Sequence, residues 1–297
     1  MPAEHHTTPL SSGSPQGDEA GGGWHGAGDA GSAAPAGRGD LLAAVALLWG
    51  HRPAPKRGPK PTLSLEAIAR TGIGIADADG LAAVTMQSVA AALGFTKMAL
   101  YRYVPGKVEL VALMTDIGMG APPPLGGEES GWRARLDQWA RRLFELFLQH
   151  PWALETTVGA RAVGPNELSW LEQAVTALGG TGLRGHEVLD AAVTLTGHAR
   201  AIAQQETATG GEASTEHSLN AFMAAVMPTH GHRFPALGAV LAEIAELGGQ
   251  GQAFDFGLAR ILDGIELLIT ARASGSGSET GTTTNAMTNT ATGADQA

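Results

Sequence analysis

The fourteen residues from Gly94 to Lys107, GFTKMALYRYVPGK, decide the fold of the N-terminal part of this chain. Gly94 suits the left-handed backbone conformation that ends a helix, and Thr96 can cap a helix that begins at the next residue. Pro105 and Gly106 then break that second helix. Because two short helices joined by a tight turn form a helix-turn-helix, the stretch predicts a second helix whose outer face can enter a DNA major groove.

Helical signals continue on both sides of this stretch, so an all-α module is predicted over residues 62–120. Thr85 can cap a short helix from Met86 to Leu93, and Ala90 is small where the two helices of the motif approach each other. A longer capped helix precedes them, and another opens at Lys107. The apolar positions that must pack together inside the motif are Val89, Leu93, Phe95 and Leu100.

The charge of the chain is unevenly distributed. The whole sequence carries a net charge of −10, which by itself argues against a nucleic-acid partner. Residues 51–110 nevertheless hold eight Lys and Arg residues against four acidic ones, a net charge of +4, and all four lysines of the chain fall there. A basic segment inside an acidic chain is typical of a polyanion-binding module, although a chance fluctuation gives the same pattern.

Composition argues against several other kinds of protein. The chain has no cysteine, so it has no disulfide framework, thiolate zinc site or thiol nucleophile. Its longest apolar run, Leu41–Trp49, is nine residues long, against the ~20 residues of a membrane span, and it lies too far from Met1 to be a signal peptide. We therefore expect a soluble cytoplasmic protein without a metal, a cofactor or a membrane partner.

Residues 62–114, and Gly94–Lys107 most closely, resemble the DNA-binding headpiece of the tetracycline-repressor (TetR) family. The shared pattern has a glycine in the turn, Leu-Tyr in the recognition helix, an aromatic or His residue two positions after that Tyr, and a lysine at the start of the next helix. Tyr103 and Lys107 stand in the last two positions. The resemblance implies an all-α homodimer with an N-terminal operator-binding domain and a larger C-terminal domain that holds a small-molecule pocket.

The candidate DNA contacts lie on the second helix of the motif. Leu100 must face the core, so the side chains left to face DNA are Lys97, Met98, Ala99, Tyr101 and Arg102. Lys97 and Arg102 can donate to guanine or to phosphate, whereas Met98 and Ala99 can meet thymine methyl groups. Phosphate contacts set the register without reading sequence. The residues that match family positions on the DNA backbone are Thr96, Tyr101, Tyr103 and Lys107, to which we add Thr85. For each of these residues the alternative is an ordinary solvated surface position.

A basic arm over residues 51–61 precedes this domain. Its four prolines hold it extended, so Lys56, Arg57 and Lys60 can reach an adjacent minor groove or a flanking phosphate. A charged linker without DNA contacts is an equal alternative.

Both ends of the chain are poor in large apolar side chains, so they cannot offset the entropy of ordering. We expect residues 1–50 to form a mostly disordered extension and residues 273–297 to form a disordered tail. Leu41–Trp49 is the exception within the extension, because it can form a short helix that docks on the basic module.

Residues 130–272 are predicted to form a helical domain for effector binding and dimerisation. The helix Trp132–His150 is amphipathic, and after it come Pro165–Leu178, Gly185–Thr207, Leu219–Met227, Phe234–Leu247 and Phe254–Arg272. The last two are the candidates for the four-helix dimer bundle that the resemblance implies. The last helix carries an apolar stripe that either meets a second subunit or packs only against its own domain, namely Leu258, Ile261, Leu262, Ile265, Leu268 and Ile269.

An effector pocket would lie among the middle helices, with apolar walls and a few polar groups. The resemblance implies that its ligand is bulky and apolar or aromatic. Eight residues are candidates to line the pocket, and for each of them ordinary core or surface duty is the competing interpretation: His150, Trp152, Arg161, Trp170, His198, Gln204, Phe222 and Met223.

These patterns predict a dimeric transcriptional regulator, usually a repressor, that binds a palindromic operator and is released by a small molecule. Its two recognition helices must lie ~34 Å apart, about one DNA turn, to engage both half-sites. One alternative is a helical small-molecule binder that binds no operator. Another is a metal-dependent or acid–base enzyme, for which the histidines are a weak basis, since His186 and His198 lie about three helical turns apart and cannot bind one metal. His230 and His232 lack a third ligand, and no catalytic residue is expected.

Overall fold

The computed structural model describes residues 38–50, 63–208, 215–247 and 252–276, and within these ranges the regular structure is helical. This confirms the predicted all-α class. In chain order the helices are α1 (Arg38–Trp49), α2 (Leu65–Asp79), α3 (Met86–Ala92), α4 (Lys97–Tyr101), α5 (Lys107–Met119), α6 (Gly131–Gln149), α7 (Ala153–Thr156), α8 (Pro165–Ala177), α9 (Gly185–Ala208), α10 (Thr215–His230), α11 (Pro235–Leu247) and α12 (Ala253–Ser276).

Helices α2 to α5 form the N-terminal module around a shared apolar core. The Ser64 hydroxyl caps α2 by accepting a hydrogen bond from the backbone N–H of Ala67 at 3.1 Å. Helix α2 lies against α5, and Gly72 makes the approach possible because a Cβ there would lie 2.6 Å from Sδ of Met114. The buried residues of this core include Ile68, Ala69, Val84, Val89, Leu100, Val104, Leu110 and Met114.

Helix α1 packs on α5 and is the docked helix that the sequence suggested. Ala44 is fully buried, and Nε1 of Trp49 donates a hydrogen bond to the carbonyl oxygen of Val163 at 2.9 Å. These contacts offset the entropy of ordering α1, which contains the stretch Leu41–Trp49 that the sequence set apart within residues 1–50.

Several predicted segments lie outside the described residues. These are residues 1–37, the segment 51–62 that holds the basic arm, and residues 277–297 of the expected tail. Helix α12 continues to Ser276 and so overlaps the start of that tail.

Helices α6, α8, α9 and α12 form the C-terminal domain, with α9 packed on both α6 and α12. Trp139 on α6 and Trp170 on α8 meet edge to face, with ring centroids 6.4 Å apart. Nε1 of Trp139 also donates a hydrogen bond to the backbone carbonyl of Trp170 at 2.9 Å, so the buried indole N–H is satisfied. The two tryptophans therefore fix α8 against α6.

The apolar stripe of α12 belongs to the core of its own chain. Leu258 is fully buried, and Leu262 and Ile265 are nearly so, on a helix that packs against α9 and α6. The interpretation of this stripe as a dimer interface is wrong for these three residues, because their side chains are already covered. Gly257 serves the same contact, since a Cβ at that position would collide with the ring of His198 on α9.

Helix α10 contacts α9, and a short 3₁₀ turn leads from it to α11. Both helices expose large apolar side chains, among them Phe222, Leu237 and Val240.

An ion pair between Glu187 and Arg272 ties the start of α9 to the end of α12. The Arg272 guanidinium donates to the Glu187 carboxylate, and the backbone N–H of Arg184 adds a hydrogen bond at 2.8 Å. These bonds lower the pKa of Glu187 from 4.5 to about 2. The ion pair therefore stabilises the fold above the unfolded-state pKa of this carboxyl, and its contribution is lost as the pH falls through the lowered value.

We expect Arg272→Gln to raise the pKa of Glu187 back toward 4.5, because it removes the largest cause of the depression. An NMR titration of the Glu187 side-chain carbonyl carbon in the full chain measures the shift. Arg260→Gln is the matched control, since Arg260 lies on the same helix but pairs with Asp263. An unchanged Glu187 titration in Arg272→Gln would contradict this role of the ion pair.

Candidate functional site

The turn between α3 and α4 has the geometry that a helix-turn-helix needs. Gly94 has a φ of +73°, in the left-handed region that residues with a Cβ rarely adopt. The N–H of Phe95 donates to the carbonyl of Ala90 at 2.9 Å, and that of Gly94 donates to the carbonyl of Ala91 at 3.0 Å. This pair of bonds is a Schellman motif, which ends α3 and sets the direction of α4.

Threonine hydroxyls fix the starts of both helices. The Thr85 hydroxyl accepts a hydrogen bond from the N–H of Ser88, and the Ser88 hydroxyl accepts one from the N–H of Thr85, each at 2.9 Å. This reciprocal capping box begins α3. At the start of α4, the Thr96 hydroxyl accepts from the N–H of Ala99 at 3.2 Å. Thr85 and Thr96 are both exposed, so each cap lies at the surface of the module.

Helix α4 buries one side chain and exposes most of the others. Leu100 is fully buried, whereas Met98 is 70% exposed and Tyr101 is 38% exposed. Lys97 and Arg102 are exposed as well, and Nζ of Lys97 lies 5.6 Å from the centre of the Tyr101 ring. The outer face of α4 therefore presents two cations, an aromatic ring and a thioether side by side.

The remaining predicted DNA contacts differ in accessibility. Ala99 and Tyr103 are half-buried, and Tyr103, which follows the end of α4 at Tyr101, packs against the core. Lys107 is exposed at the start of α5, whose first N–H groups have no side-chain cap and can attract an anion. Three candidates fall outside the described residues, namely Lys56, Arg57 and Lys60.

Two of the joints between the helix-turn-helix module and the C-terminal domain are made by carboxylates of the module. In the first, the Asp77 carboxylate near the end of α2 accepts a hydrogen bond from Nε1 of Trp152 at 2.6 Å and lies 2.8 Å from Nδ1 of His150. Trp152 is buried, and a Cβ at Gly118 would lie 2.9 Å from its ring. The structure therefore places His150 and Trp152 at this joint, and not in a ligand cavity as predicted.

In the second joint, Asp116 near the end of α5 caps the start of α8. Its Oδ1 accepts hydrogen bonds from the backbone N–H of Asn166 at 2.8 Å and of Glu167 at 3.2 Å. Burial raises the pKa of the Asp116 carboxyl, and these hydrogen bonds oppose the rise. A Cβ at Gly164 would collide with this carboxylate, so the close approach requires glycine. Helix α5 thus runs from Lys107, which follows the helix-turn-helix, to the first turn of α8.

A cavity of about 140 Å³ lies in the C-terminal domain, between the end of α5 and helices α6, α8 and α9. The polar residues that line it are Thr157, Arg161, Glu167, Thr196 and Arg200. The rest of the wall is apolar and aromatic, formed by Met119, Trp139, Leu143, Phe147, Trp170 and Leu171. An apolar cavity with a few convergent polar groups is typical of a small-molecule site.

The charged groups of the cavity are bonded in two different ways. Arg161 and Glu167 form a forked ion pair, in which Nη1 of Arg161 lies 2.5 Å from Oε2 of Glu167. Arg200 instead donates to the carbonyl oxygen of Leu154 at 2.8 Å and to the hydroxyl of Thr157 at 2.7 Å. Burial lowers the pKa of the Arg200 guanidinium and the positive charge of Arg161 lowers it further, whereas the negative charge of Glu167 raises it.

Of the eight candidate pocket residues, Arg161 and Trp170 line this cavity. His198 lies between α9 and α12, where it stacks on Phe254 and its Nε2 lies 2.9 Å from the Phe254 carbonyl oxygen. The others occupy exposed or half-buried positions on α9 and α10 that do not line the cavity, namely Gln204, Phe222 and Met223.

Sequence reasoning missed three important cavity residues, Trp139, Glu167 and Arg200. Trp139 lies on the predicted apolar face of α6, and that pattern does not distinguish a cavity wall from ordinary core. Arg200 follows the buried Ala199 directly. A charged side chain at the edge of a helix face made of small residues is the signal that could have found it.

The described residues contain no group of three or more His, Asp or Glu side chains that could hold a metal ion. His230 and His232, which the sequence brings close together, are both exposed at the end of α10 and in the turn after it. Within the same described ranges, none of the helices has the length and the apolar character that crossing a membrane requires.

Comparison with known families matches both parts of the chain. The family model for bacterial regulatory proteins of the tetR family matches residues 72–114. The model for the tetracyclin repressor-like C-terminal domain matches residues 124–269. The helix-turn-helix therefore falls in the first matched segment, and the cavity residues from Trp139 to Arg200 fall in the second.

Individual relatives agree with the family models. The HTH-type transcriptional repressor DrrR1 of Streptomyces coeruleorubidus is 37% identical over 259 residues, which cover 83% of this chain and 93% of that protein. An HTH-type transcriptional regulator of Saccharopolyspora erythraea is 26% identical over 155 residues, which cover 52% of this chain and 65% of that protein.

Among solved structures, apo ActR from Streptomyces coelicolor has a TM-score of 0.56 and 23% identity, covering 73% of this chain and 100% of its own. ActR in complex with actinorhodin has a TM-score of 0.57 and 23% identity, covering 71% of this chain and 99% of its own. At this identity the likeness establishes a shared fold.

Proposed function

This chain belongs to the tetracycline-repressor (TetR) family of bacterial regulatory proteins, and on that premise we propose that it represses transcription by binding an operator through α4 until a small molecule releases it. The observation that carries the proposal is the outer face of α4. There Lys97, Tyr101 and Arg102 are exposed while Leu100 is buried and anchors the helix. Family membership supports a regulator over an enzyme, and a regulator of bacterial transcription acts in the cytoplasm.

The exposure of the described side chains supports a proposed role on DNA for each of them, and the basic arm is included on its sequence alone. Lys97 and Arg102 donate to guanine edges or phosphates in the major groove, and Met98 meets thymine methyl groups. Tyr101 and Lys107 hold phosphates and set the register, as do the exposed caps and the basic arm, namely Thr85, Thr96, Lys56, Arg57 and Lys60. The half-buried Ala99 and Tyr103 act mainly by supporting the helix.

We propose that a homodimer forms through the outer faces of α9 and α12, which pack side by side in each chain. Gly197 on α9 and Gly264 on α12 have open space where a Cβ would stand, so a helix of the second subunit can approach closely. Four helices, two from each subunit, then form a bundle. The large apolar side chains that this pairing would cover are Leu189, Val193, Phe256, Leu267 and Leu268, all exposed in the single chain.

The cavity is placed where a ligand can act on the DNA-binding module. Glu167 lines the cavity, and its backbone N–H donates a hydrogen bond to Asp116 of α5. A ligand that moves Glu167 therefore acts on α5, which packs on α2 and begins at Lys107. Ligand binding then shifts the population toward a separation of the two recognition helices that the operator does not accept.

A gel-shift titration of the full chain on DNA from its own promoter region tests the proposal. We expect a specific complex that scrambled DNA of equal length does not compete away. Its association constant K should fall as salt is added. Each phosphate that the protein neutralises should make the slope of log K against log salt concentration more negative by about 0.9. Equal affinity for promoter and scrambled DNA would leave only the alternative of a helical small-molecule binder.

The joint at Asp77 makes a separate prediction about stability. Asp77→Ala should lower the free energy of unfolding by about 1–3 kcal/mol, because it leaves the buried N–H of Trp152 without an acceptor. Chemical denaturation followed by circular dichroism measures the change. Asp79→Ala, which removes an exposed carboxylate at the end of the same helix, should stay within about 0.5 kcal/mol of wild type. Equal losses in the two variants would show that the joint adds nothing to stability.

A further inference from the structure

The cavity in the C-terminal domain carries an excess of positive charge. Its charged side chains are the cations Arg161 and Arg200 and the anion Glu167. Because Arg161 and Glu167 are paired with each other, they neutralise each other. In the part of the chain that the structure describes, no carboxylate lies within ion-pair distance of Arg200, whose hydrogen bonds go to neutral oxygens of Leu154 and Thr157.

Arg200 is therefore a half-buried cation with neutral partners. Its guanidinium carbon lies 5.0 Å from the centre of the Phe147 ring, which adds a cation–π contact but no negative charge. Burial and the neighbouring charge of Arg161 both lower the pKa of Arg200, and the negative charge of Glu167 opposes them only in part, as expected for a half-buried cation that has no anion bonded to it. An anion that enters the cavity would relieve this imbalance and form charge-assisted hydrogen bonds.

The walls and the volume of the cavity limit the rest of the ligand that carries the anionic group. Trp139, Phe147 and Trp170 contribute flat aromatic walls. A volume of about 150 Å³ is sufficient for benzene, and this cavity measures about 140 Å³. Its volume is therefore close to the size of one six-membered ring, which is smaller than the bulky ligand expected from the family resemblance.

We propose that the effector is an aromatic acid whose ring lies between these aromatic walls. Its carboxylate is bound by Arg200 and also by Arg161, where it replaces the carboxylate of Glu167. This inference rests on the function proposed above and narrows its ligand to one chemical class. The ligand carboxylate repels that of Glu167 and competes with it for Arg161. Because Asp116 of α5 holds the backbone N–H of Glu167, the competition takes place at the joint to the DNA-binding module.

Isothermal titration calorimetry on the full chain without DNA tests the inference with three probes of nearly equal size. Benzoate is an anion at neutral pH, benzamide is neutral and benzylamine is a cation. We expect benzoate to bind at least about tenfold more tightly than benzamide, because a charge-assisted forked hydrogen bond replaces a neutral one. We expect no measurable binding of benzylamine. Benzoate added to the operator complex should release the DNA.

Three variants assign the effect to the cavity. Arg200→Met should weaken benzoate binding by about tenfold and change benzamide binding little, since only the charged contact is lost. Glu167→Gln should strengthen benzoate binding, because it removes the carboxylate that competes for Arg161, and a variant that merely damaged the fold would not do so. Arg184→Met removes an exposed cation outside the cavity and should bind all three probes like wild type.

Several results would overturn the inference: equal affinity for benzoate and benzamide, tighter binding of benzylamine, no binding of benzoate at millimolar concentration, or bound benzoate that leaves the operator complex intact. The gel shift without any probe reports on the proposed function independently. Loss of operator binding together with a retained preference for benzoate would reject the function and preserve the cavity chemistry. Intact operator binding without that preference would reject only this inference.

Discussion

The double variant Lys97→Ala/Arg102→Ala is expected to lose operator affinity by at least about thirtyfold. A good bidentate contact to a base contributes about 1–3 kcal/mol of discrimination, so two of them together contribute about 2–6 kcal/mol. Both side chains are exposed on the outer face of α4, and Leu100 still anchors the helix. Fluorescence anisotropy on labelled operator DNA measures the loss.

The matched control for this variant removes two exposed arginines from the C-terminal domain. Arg184→Ala/Arg233→Ala removes the same charge from exposed positions and should bind the operator like wild type. The thermal midpoint of Lys97→Ala/Arg102→Ala should also match wild type, because substitutions at exposed positions usually change stability by less than about 0.5 kcal/mol. If the α4 variant binds the operator as tightly as wild type, α4 is not the recognition helix.

Leu267→Arg is expected to separate the dimer and to lower operator affinity by about a thousandfold or more, toward the level of non-specific binding. Leu267 is 72% exposed in the single chain, so an arginine there does not disturb the fold of the subunit. In the proposed bundle the same arginine would be buried without a partner, which is strongly unfavourable. A monomer holds one recognition helix and cannot engage two half-sites at once.

Analytical ultracentrifugation measures the subunit association that this variant tests. Leu237→Arg is the matched control, because Leu237 is an exposed leucine on α11, outside the proposed interface. It should remain dimeric and bind the operator like wild type. Should Leu267→Arg sediment as a dimer while Leu237→Arg sediments as a monomer, the interface involves α11 and not the outer face of α12.

The helix-turn-helix could be predicted from sequence because its determinants are local. Thr85, Gly94 and Thr96 act on backbone groups within five residues of themselves, through caps and a turn that the structure contains. Leu100 is the one fully buried residue of α4, so its position determines which face of the helix points outward. Each of these features depends on the type of one residue and on its immediate neighbours in the sequence, so a short stretch of sequence is enough to predict it.

The joints and the cavity could not be predicted in the same way, because they depend on contacts between distant residues. His150 and Trp152 were assigned to a pocket, but both bind Asp77, which lies more than seventy residues away in the sequence. The apolar stripe of α12 predicted a covered face correctly. Apolar periodicity does not say whether the covering helix belongs to the same chain, and for Leu258 and Leu262 it does.

Protection of guanine N7 from methylation by dimethyl sulfate in the operator complex tests the central claim most directly, because N7 lies in the major groove where α4 is proposed to dock. The account predicts two symmetric sets of protected guanines with centres about one helical turn apart, on one face of the duplex. The protection should disappear in Lys97→Ala/Arg102→Ala. A specific complex in which every guanine N7 stays reactive would contradict recognition through α4.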